Sequence, residues 1–188
     1  MKVLKFGGTS VGSPENMRKV MDIITDGEPK VVVLSAMSGT TNSLLEIAGF
    51  LYQQEPGEAS TGMDTLKKKY EKVVEDLYAT ALSKQKGREV LSGVFDLLQS
   101  FLHAKFTERE EKIVVAQGEL LSSQLFTLLL LENGFSSILL PALDFMRIDG
   151  NRAADLPAIK TLFSGMLNNA PKVDYYVTQG FICRNPKG

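Results

Sequence analysis

Val3-Leu4-Lys5-Phe6-Gly7-Gly8-Thr9-Ser10-Val11-Gly12-Ser13 is the stretch that decides the fold. Val3, Leu4 and Phe6 read as a buried first strand, with Lys5 near its end. Gly7 and Gly8 turn the chain without side chains, which leaves backbone N–H groups open to an anion. Ser13 suits a helix cap and Pro14 the first helical position. A helix start beside a glycine turn seats phosphate, and Lys5 adds a point charge. A strand-to-helix turn that binds nothing would carry the same glycines.

Working outward, Met17, Val20, Met21 and Ile24 mark one helical face, ending near Gly27. Lys30-Val31-Val32-Val33-Leu34-Ser35-Ala36 follows, an unbroken apolar run suited to a central strand covered on both sides. Strand, helix and strand at this spacing form a βαβ unit with a parallel sheet. The spacing excludes two common nucleotide motifs: there is no G-x-x-x-x-G-K-[ST] run, and Gly7, Gly8 and Gly12 do not fit G-x-G-x-x-G.

The chain has 188 residues, 44% of them hydrophobic, with a net charge of −1. That is enough for one domain with a real core. No strongly basic patch points to nucleic acid or an anionic membrane, and no apolar run is read as a membrane span. Cys183 is the only cysteine and His103 the only histidine, so neither a disulfide nor a zinc cluster is expected. With no signal-peptide pattern, the cytoplasm is the simplest compartment.

Lys5-Phe6-Gly7-Gly8-Thr9-Ser10-Val11 resembles the opening signature of the aspartate kinases, within the amino-acid kinase family. Two later segments are similar to the same family. One is Leu34-Ser35-Ala36-Met37-Ser38-Gly39-Thr40-Thr41-Asn42, a polar turn before a helix for which Thr41 or Asn42 is the expected cap. The other is Gln117-Gly118-Glu119-Leu120-Leu121-Ser122, inside a long helix that starts at Thr107 or Glu108. There Gly118 costs about 1 kcal/mol of helix stability against alanine and permits close approach of another backbone or a ligand. Glu119, Ser122 and Ser123 share one side of that helix. On residue chemistry alone Glu119 reads as a surface glutamate, because charged residues are mostly exposed.

Between these segments, residues 55–65 read as a polar loop, Leu66 to Ala81 as a helix, and Gly87 as a break before another helix from Val90 to Leu102. Together they form a helical hairpin over about 60–107. Lys67, Lys68 and Lys69 read as a solvated face. Further on, Ser137–Leu140 is a strand, residues 144–155 a polar loop with solvated Arg147 and Arg152, and Pro157 the start of a helix. Asp174–Thr178 is the last strand, leading into Gln179-Gly180-Phe181-Ile182, which resembles the family segment flanking the substrate site. The expected fold is α/β: a three-layer α/β/α sandwich with a mainly parallel sheet, incomplete, carrying the inserted hairpin.

The resemblance implies an enzyme that transfers a phosphoryl group from ATP to the side-chain carboxylate of L-aspartate, the first step of lysine, threonine and methionine biosynthesis. It implies Lys5 as catalytic residue and Lys5, Phe6, Gly7, Gly8 and Ser35 around the ATP phosphates. Thr41, Glu119 and Phe181 are implied for aspartate, and Mg²⁺ is implied to be held through the ATP phosphates. An Arg-Gly-Gly-Ser-Asp turn and the nucleotide-binding half, which follow in the family, are not among these residues. The chain therefore reads as the amino-acid-substrate lobe, 1–188, without the nucleotide half or regulatory domains, and inactive alone. An exposed sheet edge would pair with another copy, so a homo-oligomer is expected. Two other readings stay open: a kinase for glutamate or acetylglutamate, and a non-catalytic lobe that binds amino acid or phosphate. A dinucleotide-binding domain lacks its fingerprint.

Overall fold

The computed structural model describes residues 1–186. Four parallel strands, β1 (Lys2–Phe6), β2 (Lys30–Leu34), β3 (Ser137–Leu139) and β4 (Tyr175–Gln179), lie in the order β1-β2-β4-β3. Lys5, Val33 and Thr178 share one row across the sheet, and Phe6, Leu34 and Gln179 the next. The strands alternate between two cores. Val32, Leu34, Tyr175 and Val177 face a large core with α1 (Pro14–Ile24), α2 (Thr40–Tyr52) and α5 (Glu108–Glu132). Val31 and Tyr176 face a smaller one with α6 (Ala142–Phe145) and α7 (Leu156–Asn169). Helices on both faces make the three-layer α/β/α architecture and explain why β2 has no polar face.

The first strand departs from the sequence reading. It is an edge strand, and Val3 is 68% exposed. Leu4 and Phe6 pack against the large core, but the thin α6–α7 layer does not bury the opposite side of β1. The hairpin also differs. Helix α3 (Pro56–Leu77) begins ten positions before Leu66, because Ala59 and Met63 extend the buried stripe through the polar stretch and Pro56 takes the first position. The break lies at residues 78–80, not at Gly87, and α4 (Ala81–Ser100) is capped by Thr80. Gly87 is inside α4, where a Cβ would stand 2.9 Å from the Tyr78 ring, so it is a packing glycine. His103 is exposed.

Ser13 caps α1 as expected, and Thr107 caps α5 in a reciprocal box with Glu110. The cap of α2 is Gly39, at φ 79°, rather than Thr41 or Asn42; the left-handed turn there suits glycine and leaves Thr40 already helical. Asp155 caps α7, which starts at Leu156. The polar loop at 144–155 includes the end of α6, and Arg147 is not solvated: its guanidinium donates to the carbonyls of Leu143, Asp144 and Met146. Arg152 is exposed. Helix α5 is long and apolar enough to cross a membrane by length and composition, against the sequence reading, yet 67% of its most apolar window is buried in the protein. That is the pattern of a core helix.

Candidate functional site

The C-terminal ends of β1, β2 and β4 open at one end of the sheet, where ligands of open α/β folds sit. After β1 the chain turns tightly, with the amides of Ser10 and Val11 donating to Gly7 O (2.9 and 3.3 Å). Gly8 lies against the segment that follows β2. Its carbonyl accepts from Ser38 N (3.2 Å), and a Cβ on it would stand 2.8 Å from Ala36 O. Among the described residues no turn or loop hydrogen bond uses the amides of Gly7, Gly8 or Thr9. Lys5 makes no ion pair among the described residues; its Nζ lies 4.7 Å from the centre of the Phe181 ring. Ser35 is buried, and its hydroxyl has no hydrogen-bond partner among the described residues.

The second turn is braced from the hairpin. The buried hydroxyl of Thr40 bonds the phenol of Tyr70 (2.8 Å), and Lys69 Nζ donates to Ser38 O (2.9 Å). Lys69 is exposed, as a solvated face requires, but its ammonium is tied to this turn, and partial desolvation there holds it below the usual lysine range. Burial pushes the Tyr70 phenol up, so it stays protonated as a hydrogen-bond partner. Thr41 is half-buried at the start of α2.

Helix α5 reaches this turn through Gly118, where a Cβ would come within 2.8 Å of Ala36 Cβ and 3.4 Å of Thr40 Cγ2. The close approach carries Glu119 inward, so it is buried rather than a surface glutamate. Burial raises its carboxyl above the ordinary range, while the backbone amides of Ala36 and Glu119 pull it partly back. Ser122 Oγ donates to Ser35 O (2.8 Å) and Ser123 Oγ to Glu119 O (2.8 Å). From β4, Gln179 Nε2 donates to Ser123 Oγ (2.7 Å), and Gln179 Oε1 accepts from Ala142 N (2.7 Å). Nothing in this arrangement supplies a conventional metal cage: among the described residues no three His, Cys, Asp or Glu side chains cluster.

A family model for the amino acid kinase family matches residues 1–188. The chain belongs to the amino acid kinase family. Among curated relatives of this amino acid kinase, the lysine-sensitive aspartokinase 3 of Escherichia coli is 30% identical over 190 residues, covering 99% of the chain and 41% of that protein. The aspartokinase of Chlamydia pneumoniae is 27% identical, covering 99% of the chain and 40% of its own length. Of solved structures, E. coli aspartokinase III in complex with aspartate and ADP aligns over 100% of this chain and 42% of its own, at 28% identity and a TM-score of 0.81. The chain spans about two fifths of the length of each of these three relatives.

Within this amino acid kinase chain, Lys5, Gly7, Gly8, Ser35, Thr41, Glu119 and Phe181 all lie on the strand ends or on the two turns and the helix packed against them. Phe6 differs: its side chain packs against the large core, and its carbonyl accepts from Ser35 N (3.1 Å). Only its backbone faces this region. Cys183 is exposed just beyond. Sequence reasoning missed Lys69 and Tyr70, some thirty positions from their partners, and Gln179 and Thr178. The last is a buried hydroxyl with no partner among the described residues, in register with Val33 and Lys5. An apolar groove between α4, α5 and β3, lined by Val90, Val94, Leu128 and Leu139, shares no residue with this cluster.

Proposed function

We propose that this chain is the amino-acid-substrate lobe of an aspartate kinase, which makes ADP and 4-phospho-L-aspartate from ATP and L-aspartate. The observation that carries the reading is the joining of two features at one sheet end. Unused amides at Gly7 and Gly8 lie beside an unneutralised Lys5, and a buried carboxylate, Glu119, is held against the turn before Thr41. The first set suits phosphate and the second a substrate ammonium. Likeness to aspartokinases over the whole chain supports aspartate as the substrate.

In this reading an oxygen of the aspartate side-chain carboxylate bonds to the γ-phosphorus of ATP, and the bond from that phosphorus to the ADP oxygen breaks. The acceptor is already ionised at neutral pH, so no strong base is needed. The protein's part is positioning and charge stabilisation. Lys5 meets the negative charge developing between donor and acceptor. Gly7 and Gly8 amides hold phosphate oxygens, with the Ser35 hydroxyl beside them. Thr41 and Glu119 orient aspartate, with Phe181 at the mouth. Mg²⁺ would supply further charge neutralisation, held through the ATP phosphates. The adenine-binding half is assigned to sequence outside these residues, consistent with the two-fifths coverage of relatives. The compartment proposed is the cytoplasm and the assembly a homo-oligomer, which sedimentation at micromolar concentration tests.

Calorimetric titration of the folded chain with L-aspartate, L-glutamate and N-acetyl-L-glutamate is the deciding experiment. Aspartate alone should bind, and Glu119→Ala should abolish the binding. Preference for glutamate or acetylglutamate would move the chain to another branch of the family. Aspartate-dependent ADP release by the chain alone would show that the catalytic machinery is already complete.

A further inference from the structure

We propose that Phe181 is a positioning residue for Lys5. Its ring, held outward by a strained turn, seats the lysine ammonium at the mouth of the site before any anion arrives. The inference rests on the reading of Lys5 as the phosphate-facing cation.

Three observations converge on this pair. First, Phe181 has φ 60°, a left-handed conformation that bulky side chains rarely adopt. Gly180 N donates to Leu34 O (2.8 Å), extending the β2–β4 ladder by one residue, and Ile182 N then donates back to Gly180 O (2.8 Å). These bonds put Phe181 at the centre of a three-residue turn of the rare positive-φ kind. Beyond it, Arg184 N donates to Met146 O and Ile148 N to Arg184 O (both 3.0 Å). The turn is anchored on both sides, which is how such strain persists. Second, hydrophobic burial does not explain the conformation, because Phe181 is 82% exposed. Third, the ring's one aromatic or cationic contact among the described residues is Lys5 Nζ, 4.7 Å from its centre.

The chemistry fits a cation that must stay available. Lys5 projects from the uncovered side of an edge strand, where a four-carbon stem has wide freedom. A carboxylate partner would restrain it but would also neutralise it and compete with an incoming anion. A ring face restrains the ammonium without neutralising it. The stem runs beside Gly180, whose Cβ position lies 3.8 Å from Lys5 Cε, so lysine and ring meet over the end of β4. An anion entering the Gly7-Gly8 turn then meets a charge already in place, and less freedom is lost on binding.

The test uses the folded chain and its Phe181→Trp, Phe181→Leu and Phe181→Gly variants, with two NMR readouts. One is the chemical shift of the Lys5 ε-methylene protons, which ring current moves upfield. The other is titration with inorganic phosphate, followed at the Gly7 and Gly8 amides. The upfield shift should be present in the native chain and the Trp variant and lost in the Leu and Gly variants. Phosphate should bind the Trp variant as tightly as the native chain, and the Leu and Gly variants about two- to fivefold more weakly. The Gly variant should melt no lower than the native chain, since glycine accepts the left-handed φ without strain. That separates loss of Lys5 placement from loss of fold. Equal or tighter phosphate binding by the Leu variant would overturn the proposal, as would a native chain whose Lys5 protons show no ring shift. A shifted Lys5 with no phosphate response in the native chain would overturn the anion seat itself while leaving the Lys5–Phe181 pairing in place.

Discussion

Gly118 in α5 and Ala36 just past β2 touch so closely that a Cβ on Gly118 would stand 2.8 Å from Ala36 Cβ. This contact sets how near Glu119 comes to the strand ends. Gly118→Ala should gain about 1 kcal/mol of helix propensity. It must also push two backbones apart, at a cost of about 1–3 kcal/mol. A short methyl fixed to the backbone cannot swing aside, so the second effect should win. Urea unfolding should show a lower midpoint with an unchanged slope. A midpoint above that of the native chain would mean the two elements part easily and that the glycine is not a spacer.

The hairpin carries a polar anchor for the second turn. Thr40 is fully buried, and its hydroxyl is bonded to Tyr70 OH at 2.8 Å. Tyr70→Phe keeps the ring packing and removes the partner, leaving a buried hydroxyl unsatisfied. The expected loss is about 1–3 kcal/mol. The amides of residues 39–41 should exchange faster with deuterium than those of α5. Uniform exchange across both regions would show that the bond contributes to global stability without holding the turn.

Glu119 gives a pH signature with a definite sign. Burial raises its carboxyl in the folded chain, so the fold binds that proton more tightly than the unfolded chain does. Its contribution therefore makes the fold more stable as pH falls from neutrality toward the ordinary carboxylate range, and levels off below it. Glu119→Gln carries no charge and should be more stable than the native chain at about pH 7, an advantage that fades as pH falls to the ordinary carboxylate range, about pH 4. Aspartate binding should be lost at both pH values. Melting curves of the two proteins across this range check the sign; a Gln variant less stable at neutral pH would mean the ionised carboxylate is well paired.

What could be read from the sequence was what local chemistry determines. The Val31–Leu34 run, the Ser13-Pro14 start and the helix start at Thr107 each specify their structure within a few residues, and the fold follows from them. Gly118 was legible as a point of close approach because glycine inside a helix has few other uses. The hairpin boundary was not legible, because Ala59 and Met63 are too small or too isolated to interrupt a run of polar residues by eye. The exposure of β1 was hidden because a strand's sequence does not show whether helices cover both of its faces. Tyr70 looked like one more residue of an apolar stripe, and Lys69 like one of three solvated lysines. Their roles arise from long-range packing that no periodicity encodes. The left-handed Phe181 likewise had no local signal, since sequence statistics would place glycine there.

Gln179 is the hub that ties β4 to α5 and α6. It is buried, and both ends of its amide are used: Oε1 accepts from Ala142 N and Nε2 donates to Ser123 Oγ, each at 2.7 Å. Ser123 in turn donates to Glu119 O, so the network runs from β4 to the turn of α5 that carries Glu119. Gln179→Leu keeps a similar volume but strands the Ala142 amide and removes the donor to Ser123, for an expected loss of about 2–4 kcal/mol. Ser123→Ala alone should cost less, because it leaves the Ala142 bond intact. If the bonds act as one network, the double variant should lose less than the sum of the two, with a coupling of about 0.5–3 kcal/mol. The cycle also has a functional arm. Gln179 precedes Gly180 and Phe181, so loosening it should weaken aspartate binding more than Ser123→Ala does. Strict additivity in stability, together with equal aspartate affinity in all four proteins, would reduce Gln179 to an ordinary buried amide with no hold on the site.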